Sequence, residues 1–110
     1  MSIEARLAEL GVTLPDAPAP AANYVPWVLS GNQLFVSGQI SANADGFITG
    51  KLGDTMTAED GAIAAKFCAI SLLAQLKAGC GGDIDRLVRV VKLVGFVNST
   101  ANFGDQPKVI

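Results

Sequence analysis

The sequence predicts a mixed helix-and-sheet domain, with one long helix laid on a sheet whose other face is closed by a second subunit. Three stretches predict it. Residues 24–41 read as two apolar strands around a Gly31-Asn32 turn. Residues 57–78 carry a capped helical pattern. Residues 87–97, from Leu87-Val88-Arg89 to Gly95-Phe96-Val97, are rich in β-branched side chains and apolar on both faces, as a central strand covered twice would be. The helix covers one of those faces. Nothing else in the chain is spare for the second, so a copy of the chain is expected there.

Taken in order, residues 2–9 open with a short helix. Ser2 is its N-cap, Ile3 and Leu7 lie on one side, and Gly11 stands just beyond as a stop. Pro15, Pro18 and Pro20 then impose an extended, non-helical connector lying over the domain. Residues 24–29 are strand formers broken by Pro26, which lacks a ladder donor, so an edge strand or the start of a strand is expected. The partner, residues 34–41, alternates Leu34, Val36 and Ile40 against Phe35, Ser37 and Gln39. Gly38 lies inside it, and a glycine in a strand marks a bulge or a place where a ligand or another backbone comes close. Ser37 beside it is either a pocket hydroxyl or a buried serine bonded to the neighbouring strand. Tyr24 and Trp27 are the sole tyrosine and tryptophan; as purely structural aromatics they would cover the edge of the core.

Asn43-Ala44-Asp45-Gly46 is a turn with positive φ accessible at Asp-Gly. Residues 47–53 read as a short strand or ordered loop whose glycines fit no nucleotide-binding spacing. The long helix starts with Thr57 and Asp60 in capping-box register, has Glu59 and Asp60 at its positive end, and stops at Gly79 and Gly81-Gly82. Its apolar surface forms two stripes, one of Ala65, Ala69, Leu72 and Leu76, the other of Ile63, Phe67, Ile70 and Ala74. A sheet and another helix should therefore both pack on it, with Glu59, Lys66 and Lys77 on the solvated side. After residues 87–97 and a polar connector at residues 98–102, Asp105 and Pro107 look like the first turn of a second helix. A natural fold seldom stops one turn into a helix, so residues 1–110 are expected to be a single domain, incomplete at its C-terminal end.

Half the residues are hydrophobic and only 16% are charged, which is apolar for so small a chain. No run approaches the roughly 20 continuous apolar residues of a membrane helix. Met1-Ser2-Ile3-Glu4-Ala5-Arg6 lacks the basic start and apolar core of a signal peptide. A cytoplasmic homo-oligomer with no membrane partner accounts for the excess. A net charge of -2 without a basic block argues against a broad phosphate-binding surface, so nucleic acid is not an expected partner. The absence of histidine removes Ser-His and Cys-His nucleophiles, histidine general bases and the common zinc sites. Cys68 and Cys80 would lie about 18 Å apart along one helix, too far for a disulfide. They read as reduced, buried packing residues.

The assembled pattern resembles the Rid family (reactive intermediate deaminases, also called YjgF-like). The matching pieces are Ala22-Asn23-Tyr24-Val25, the strand Phe35-Val36-Ser37-Gly38-Gln39-Ile40, the long helix ending in Cys80-Gly81-Gly82, residues 83–97, and residues 98–103. The proline-rich connector and Tyr24-Val25-Pro26-Trp27 look like a branch apart from the best studied deaminases. The resemblance implies an α+β, chorismate-mutase-like fold: a sheet with two helices on one face, assembled as a homotrimer through the other, with substrate clefts between subunits. It implies hydrolysis of 2-imino or enamine acids to 2-keto acids and ammonia, with no metal or organic cofactor. Water attacks a carbon already made electrophilic by C=N, so the protein chiefly orients substrate and water. An arginine fork holds the substrate carboxylate, a glutamate positions the water, and backbone groups polarise the nitrogen.

Carried over residue by residue, Tyr24 matches the family's active-site tyrosine, which closes the cleft and bonds substrate or water. Ser37 and Gly38 match pocket-lining strand residues, one by its hydroxyl and the other by its backbone. These three are the expected substrate-binding residues, for a small imino or keto acid. Pro107 falls near a pocket asparagine of the archetype and cannot supply that amide. The family's arginine and glutamate belong to strands after the second helix, beyond Ile110, and Arg6, Arg86, Arg89, Glu4, Glu9 and Glu59 do not match them. The resemblance thus implies a deaminase when full length, with the 110 residues alone inactive. Two other readings stay open: a non-catalytic trimer that binds small carboxylates, and, third, an endoribonuclease, as some family members are reported to be.

Overall fold

The computed structural model describes residues 2–110. The chain is α+β. Its elements are α1 (Ile3–Glu9), β1 (Trp27–Ser30), β2 (Gln33–Val36), β3 (Ala42–Asn43), β4 (Gly46–Phe47) and α2 (Ala58–Gly79), followed by single 3-10 turns at Ile84–Arg86 and Gln106–Lys108. It forms two compact units. The first comprises the chain up to Gln39 together with Ile70–Val91, the second Ile40–Ala69 together with Lys92–Ile110.

In the first unit, α1 begins as its sequence requires: the Ser2 hydroxyl accepts from the Ala5 amide at 3.0 Å. Asp85 accepts from the Ile3 and Glu4 amides at 2.7 and 3.2 Å, satisfying two more of the donors that a helix start leaves free. Leu7 and Ile84 are buried beneath this junction. Strands β1 and β2 pair antiparallel from Trp27 opposite Val36 to Ser30 opposite Gln33. Their two-residue loop has Gly31 at φ +59, the left-handed geometry such a loop demands. β1 starts immediately after Pro26, as expected. β2 stops at Val36 instead of reaching Ser41. Ser37 donates to the Pro26 carbonyl at 2.9 Å, but Pro26 has no N–H to return, so the ladder is one-sided there and lapses. The C-terminal half of α2 buries Ala74 and Gln75 and ends with Gly79 against the Leu34 side chain.

In the second unit, β3 and β4 form a two-residue-long ribbon. Its Asn43–Gly46 turn is closed by the Asn43 side chain accepting from the Asp45 amide at 2.9 Å, with Gly46 at φ +120. Thr57 and Asp60 make the expected reciprocal cap on α2, each side chain accepting from the other's amide at 3.2 Å. Leu52 is the centre of this unit, 4% exposed. Its backbone accepts from Thr100 at 2.9 Å and donates to Asn98 at 3.0 Å. Gly61 of α2 lies directly under the Leu52 and Val109 side chains.

Several expectations are corrected. Residues 87–97 form no strand: residues 88–97 make no backbone hydrogen bond among the described residues, Val88 being 94% and Phe96 95% exposed. β-pairing is non-local, and no strand among the described residues lies alongside this run, so its propensity goes unused. The strands expected in one sheet instead form two separate two-stranded antiparallel sheets. Of the two helical stripes, only Ala74 is fully buried. The close-packed α2 positions in the second unit are Gly61 and Ala64, because small residues let neighbouring side chains reach the helix backbone. Glu59 and Lys66 are exposed, as expected, and Lys77, half-buried, is paired with Glu4 at 3.2 Å. The helix expected from Asp105 is one 3-10 turn. Both cysteines are free and half-buried. By length and composition α2 would be long and apolar enough to cross a membrane, although Lys66 and Gln75 interrupt it.

Candidate functional site

The three residues singled out by sequence all fall in the first unit, around the outer end of the β1–β2 hairpin. Tyr24 sits in the connector just ahead of β1, 44% exposed. A tight turn places it: its amide donates to the Ala22 carbonyl at 2.9 Å. Its phenol oxygen accepts from the Ala21 amide at 3.3 Å. The hydroxyl proton is not used in that bond, so Tyr24 presents a free donor.

Ser37, just past β2, is half-buried and is held by three bonds. Its amide donates to Pro26, its hydroxyl donates to the Val25 carbonyl at 2.7 Å, and its carbonyl accepts from the Gln39 side-chain amide at 3.1 Å. The hydroxyl proton is therefore committed to the hairpin, while the oxygen lone pairs are free to accept. The bond to Val25, next to Tyr24 in the chain, links Ser37 to the segment that carries Tyr24. Gly38 makes no hydrogen bond among the described residues, and a Cβ built there would meet nothing within 4 Å. Its amide and carbonyl are both approachable.

The site thus offers one free O–H donor, one free hydroxyl acceptor and one unbonded peptide unit on an open surface. Two cavities lie elsewhere. One of about 290 Å³ is lined by Glu4, Leu7 and Lys77 in the first unit, and one of about 350 Å³ by Asn43, Met56 and Asp60 in the second. Neither includes Tyr24, Ser37 or Gly38. No arginine joins the three through a described bond: Arg6 pairs with Glu9 at 3.2 Å, and Arg86 donates to the Cys80 carbonyl at 3.1 Å. No cluster of three or more His, Cys, Asp or Glu suited to a metal occurs among the described residues. Sequence reasoning missed Gln75, whose side chain donates to the Pro18 carbonyl of the connector at 2.6 Å. The signal was there: an amide between Ala74 and Leu76 in an otherwise apolar helix.

A family model described as "YjgF/chorismate_mutase-like, putative endoribonuclease" matches residues 4–110. Protein TCP17 of Trypanosoma cruzi is 48% identical over 108 residues, which are 97% of this chain and 67% of that protein. Among solved structures, the protein Atu1372 of Agrobacterium tumefaciens, described as of unknown function, matches with a TM-score of 0.85 at 45% identity. The match covers 98% of this chain and 66% of that one. A protein of Shewanella oneidensis described as a "putative endoribonuclease" matches with a TM-score of 0.92 at 31% identity, covering 99% of this chain and 72% of the other. The chain spans about two thirds of the length of these relatives.

Proposed function

The chain belongs to the YjgF/chorismate-mutase-like family, and from that premise we infer that the whole protein hydrolyses reactive 2-imino or enamine acids to 2-keto acids and ammonia. The observation that carries this reading is the complementary capacity left over at Tyr24 and Ser37, beside the unbonded Gly38 backbone. A 2-imino acid has carboxylate oxygens, which need donors, and an N–H, which needs an acceptor. The Tyr24 hydroxyl answers the first and the Ser37 oxygen the second, while the Gly38 peptide can serve either. Water then adds its oxygen to the C=N carbon. The C–N bond breaks, the water's protons pass to nitrogen, and ammonia leaves the keto acid.

The chain spans about two thirds of the length of its relatives, so the reaction is assigned to the whole protein. We assign it to a cytoplasmic homotrimer working through clefts between copies. In support, Val88 in the first unit and Phe96 in the second are almost fully exposed apolar side chains, of the kind that subunit interfaces cover. The test is ammonia release from 2-iminobutanoate, generated in situ by an amino-acid oxidase. Rates equal to background for several imino acids would overturn the assignment. Saturable carboxylate binding without turnover would favour a non-catalytic binding protein instead.

The description of the Shewanella oneidensis relative raises RNA cleavage as a second reading. Histidine is absent and the net charge is -2, which count against histidine acid-base catalysis and against a broad phosphate-binding surface in this chain. RNA cleavage that disappears on replacing Tyr24 would establish it; cleavage indifferent to Tyr24 and lost on repurification would mark a contaminant.

A further inference from the structure

We propose that Gln75 is a positioning residue: it buckles the proline-rich connector to α2 and so fixes where the Tyr24 hydroxyl points. This rests on Tyr24 serving the reaction proposed above. The connector cannot hold itself in place. Pro15, Pro18 and Pro20 have no N–H, and residues 13–20 make no backbone–backbone hydrogen bond among the described residues. Among the described residues, the one hydrogen bond that anchors them comes from the Gln75 side-chain amide to the Pro18 carbonyl, at 2.6 Å.

Gln75 is 1% exposed, and its carbonyl oxygen has no partner among the described residues. A leucine would fill this position without leaving a buried acceptor unsatisfied. What the amide adds is its bond to Pro18. Two residues, Ala19 and Pro20, separate that anchor from Ala21, and the proline ring stiffens the link. The Ala21 amide is the group that donates to the Tyr24 hydroxyl at 3.3 Å. A buried point on the helix is thereby connected to an exposed phenol through a short, stiff run of chain. Released from Gln75, Pro18 would carry Ala21 away and leave the Tyr24 oxygen free to rotate.

The experiment uses the full-length protein with its single tyrosine in this segment labelled as 3-fluorotyrosine, comparing parent, Gln75→Met and Gln75→Glu. The methionine keeps the volume, and the glutamate keeps the shape but loses the donor. Both should shift and narrow the Tyr24 fluorine signal and speed exchange of the Ala21 amide roughly fivefold, the factor one net hydrogen bond is worth. kcat/KM on the imino acid should fall mainly through KM. A changed melting temperature with an unchanged fluorine signal and unchanged Ala21 exchange would mean a merely structural glutamine and would overturn the proposal. Should either variant fail to fold, the parent decides the matter. In the parent the Ala21 amide should exchange more slowly than its intrinsic rate, and an unprotected Ala21 amide would overturn the buckle. Absence of turnover in the parent counts against the reaction alone, because the fluorine and exchange readouts do not depend on it.

Discussion

Replacing Gly79 with alanine sets two effects of opposite sign against each other. Removing a glycine from a helix gains up to about 1 kcal/mol in propensity, and Gly79 is not at positive φ, so its backbone accepts a side chain. Against this, the new methyl would lie 2.6 and 2.9 Å from the two Leu34 methyl carbons and 3.3 Å from the carbon that bears them. All three atoms belong to one branched side chain, and turning its two methyls aside leaves the carbon that bears them still tight against the new methyl. Either Leu34 changes rotamer or β2 backs away, at about 1–3 kcal/mol. Gly79 is the last residue of α2, where propensity counts least, so overpacking wins by about 1–2 kcal/mol, or roughly 4–16 °C in Tm at about 4–8 °C per kcal/mol. Trp27, opposite Val36 on the same hairpin, reports the outcome by fluorescence, with far-UV circular dichroism following α2. Adding Leu34→Ala to Gly79→Ala makes room for the methyl. The double variant should therefore be more stable than the sum of the two single losses by about 0.5–3 kcal/mol. A Gly79→Ala protein with unchanged or raised Tm and parental Trp27 emission would refute the close contact between α2 and β2.

Thr57→Ala removes one half of the reciprocal cap and should cost about 1 kcal/mol, read as a lower melting temperature by circular dichroism. Ser37→Ala leaves the Val25 carbonyl to solvent and should cost about 1 kcal/mol or less in stability, while lowering kcat/KM of the full-length protein on 2-iminobutanoate about tenfold, the effect of one lost contact. Burial pushes the Cys68 thiol up from its ordinary 9.0, with a backbone hydrogen bond partly opposing. The neutral thiol is thus favoured in the folded state: its stabilisation is fully present below pH 9.0 and is lost as pH rises through the raised folded value. Alkylation of Cys68 by iodoacetamide should accordingly reach half-maximal rate at higher pH than in the Cys68-containing unfolded chain. Phe96→Lys should shift the full-length protein toward monomer in sedimentation velocity, and an unchanged oligomer would remove Phe96 from any subunit interface.

What could be read from the sequence was whatever neighbouring residues decide. The Ser2 cap, the Thr57–Asp60 box, the Gly31-Asn32 loop, the Asn43–Gly46 turn and the break at Pro26 each depend on a few adjacent side chains and their backbone donors. All appear where those residues put them. Residues 87–97 failed for the complementary reason. Their composition states a preference for a pleated, half-buried setting, but the ladder that would realise it depends on residues distant in sequence. Helix packing failed at the same level. Hydrophobic periodicity marked the large side chains of α2, yet close approach in each unit is made at small ones, with Leu52 and Val109 over Gly61 and Leu34 over Gly79. Periodicity weights a residue by its oiliness, whereas packing depends on how near a neighbour can come.

The candidate site was legible to the same depth. Tyr24, Ser37 and Gly38 could be named from their motif, but not the state of their hydrogen bonds, and that state decides what they can recognise. Ser37 on its own is equally a donor or an acceptor. Once its proton is given to Val25 it can only accept, so it is matched to an N–H and mismatched to a carboxylate. Tyr24 has the opposite bias because the Ala21 amide already occupies its oxygen. A substrate bearing an acceptor at one end and a donor at the other is therefore read in one orientation only. A 2-keto acid, in which oxygen replaces the imine N–H, loses the Ser37 contact and faces its lone pairs instead. If Tyr24 and Ser37 hold an imino acid as proposed, the same two residues should release its product, and competition by 2-ketobutanoate should be weaker than substrate binding by about tenfold or more, as expected for one polar contact turned unfavourable. Equal affinities for the two would contradict the donor and acceptor assignments at Tyr24 and Ser37.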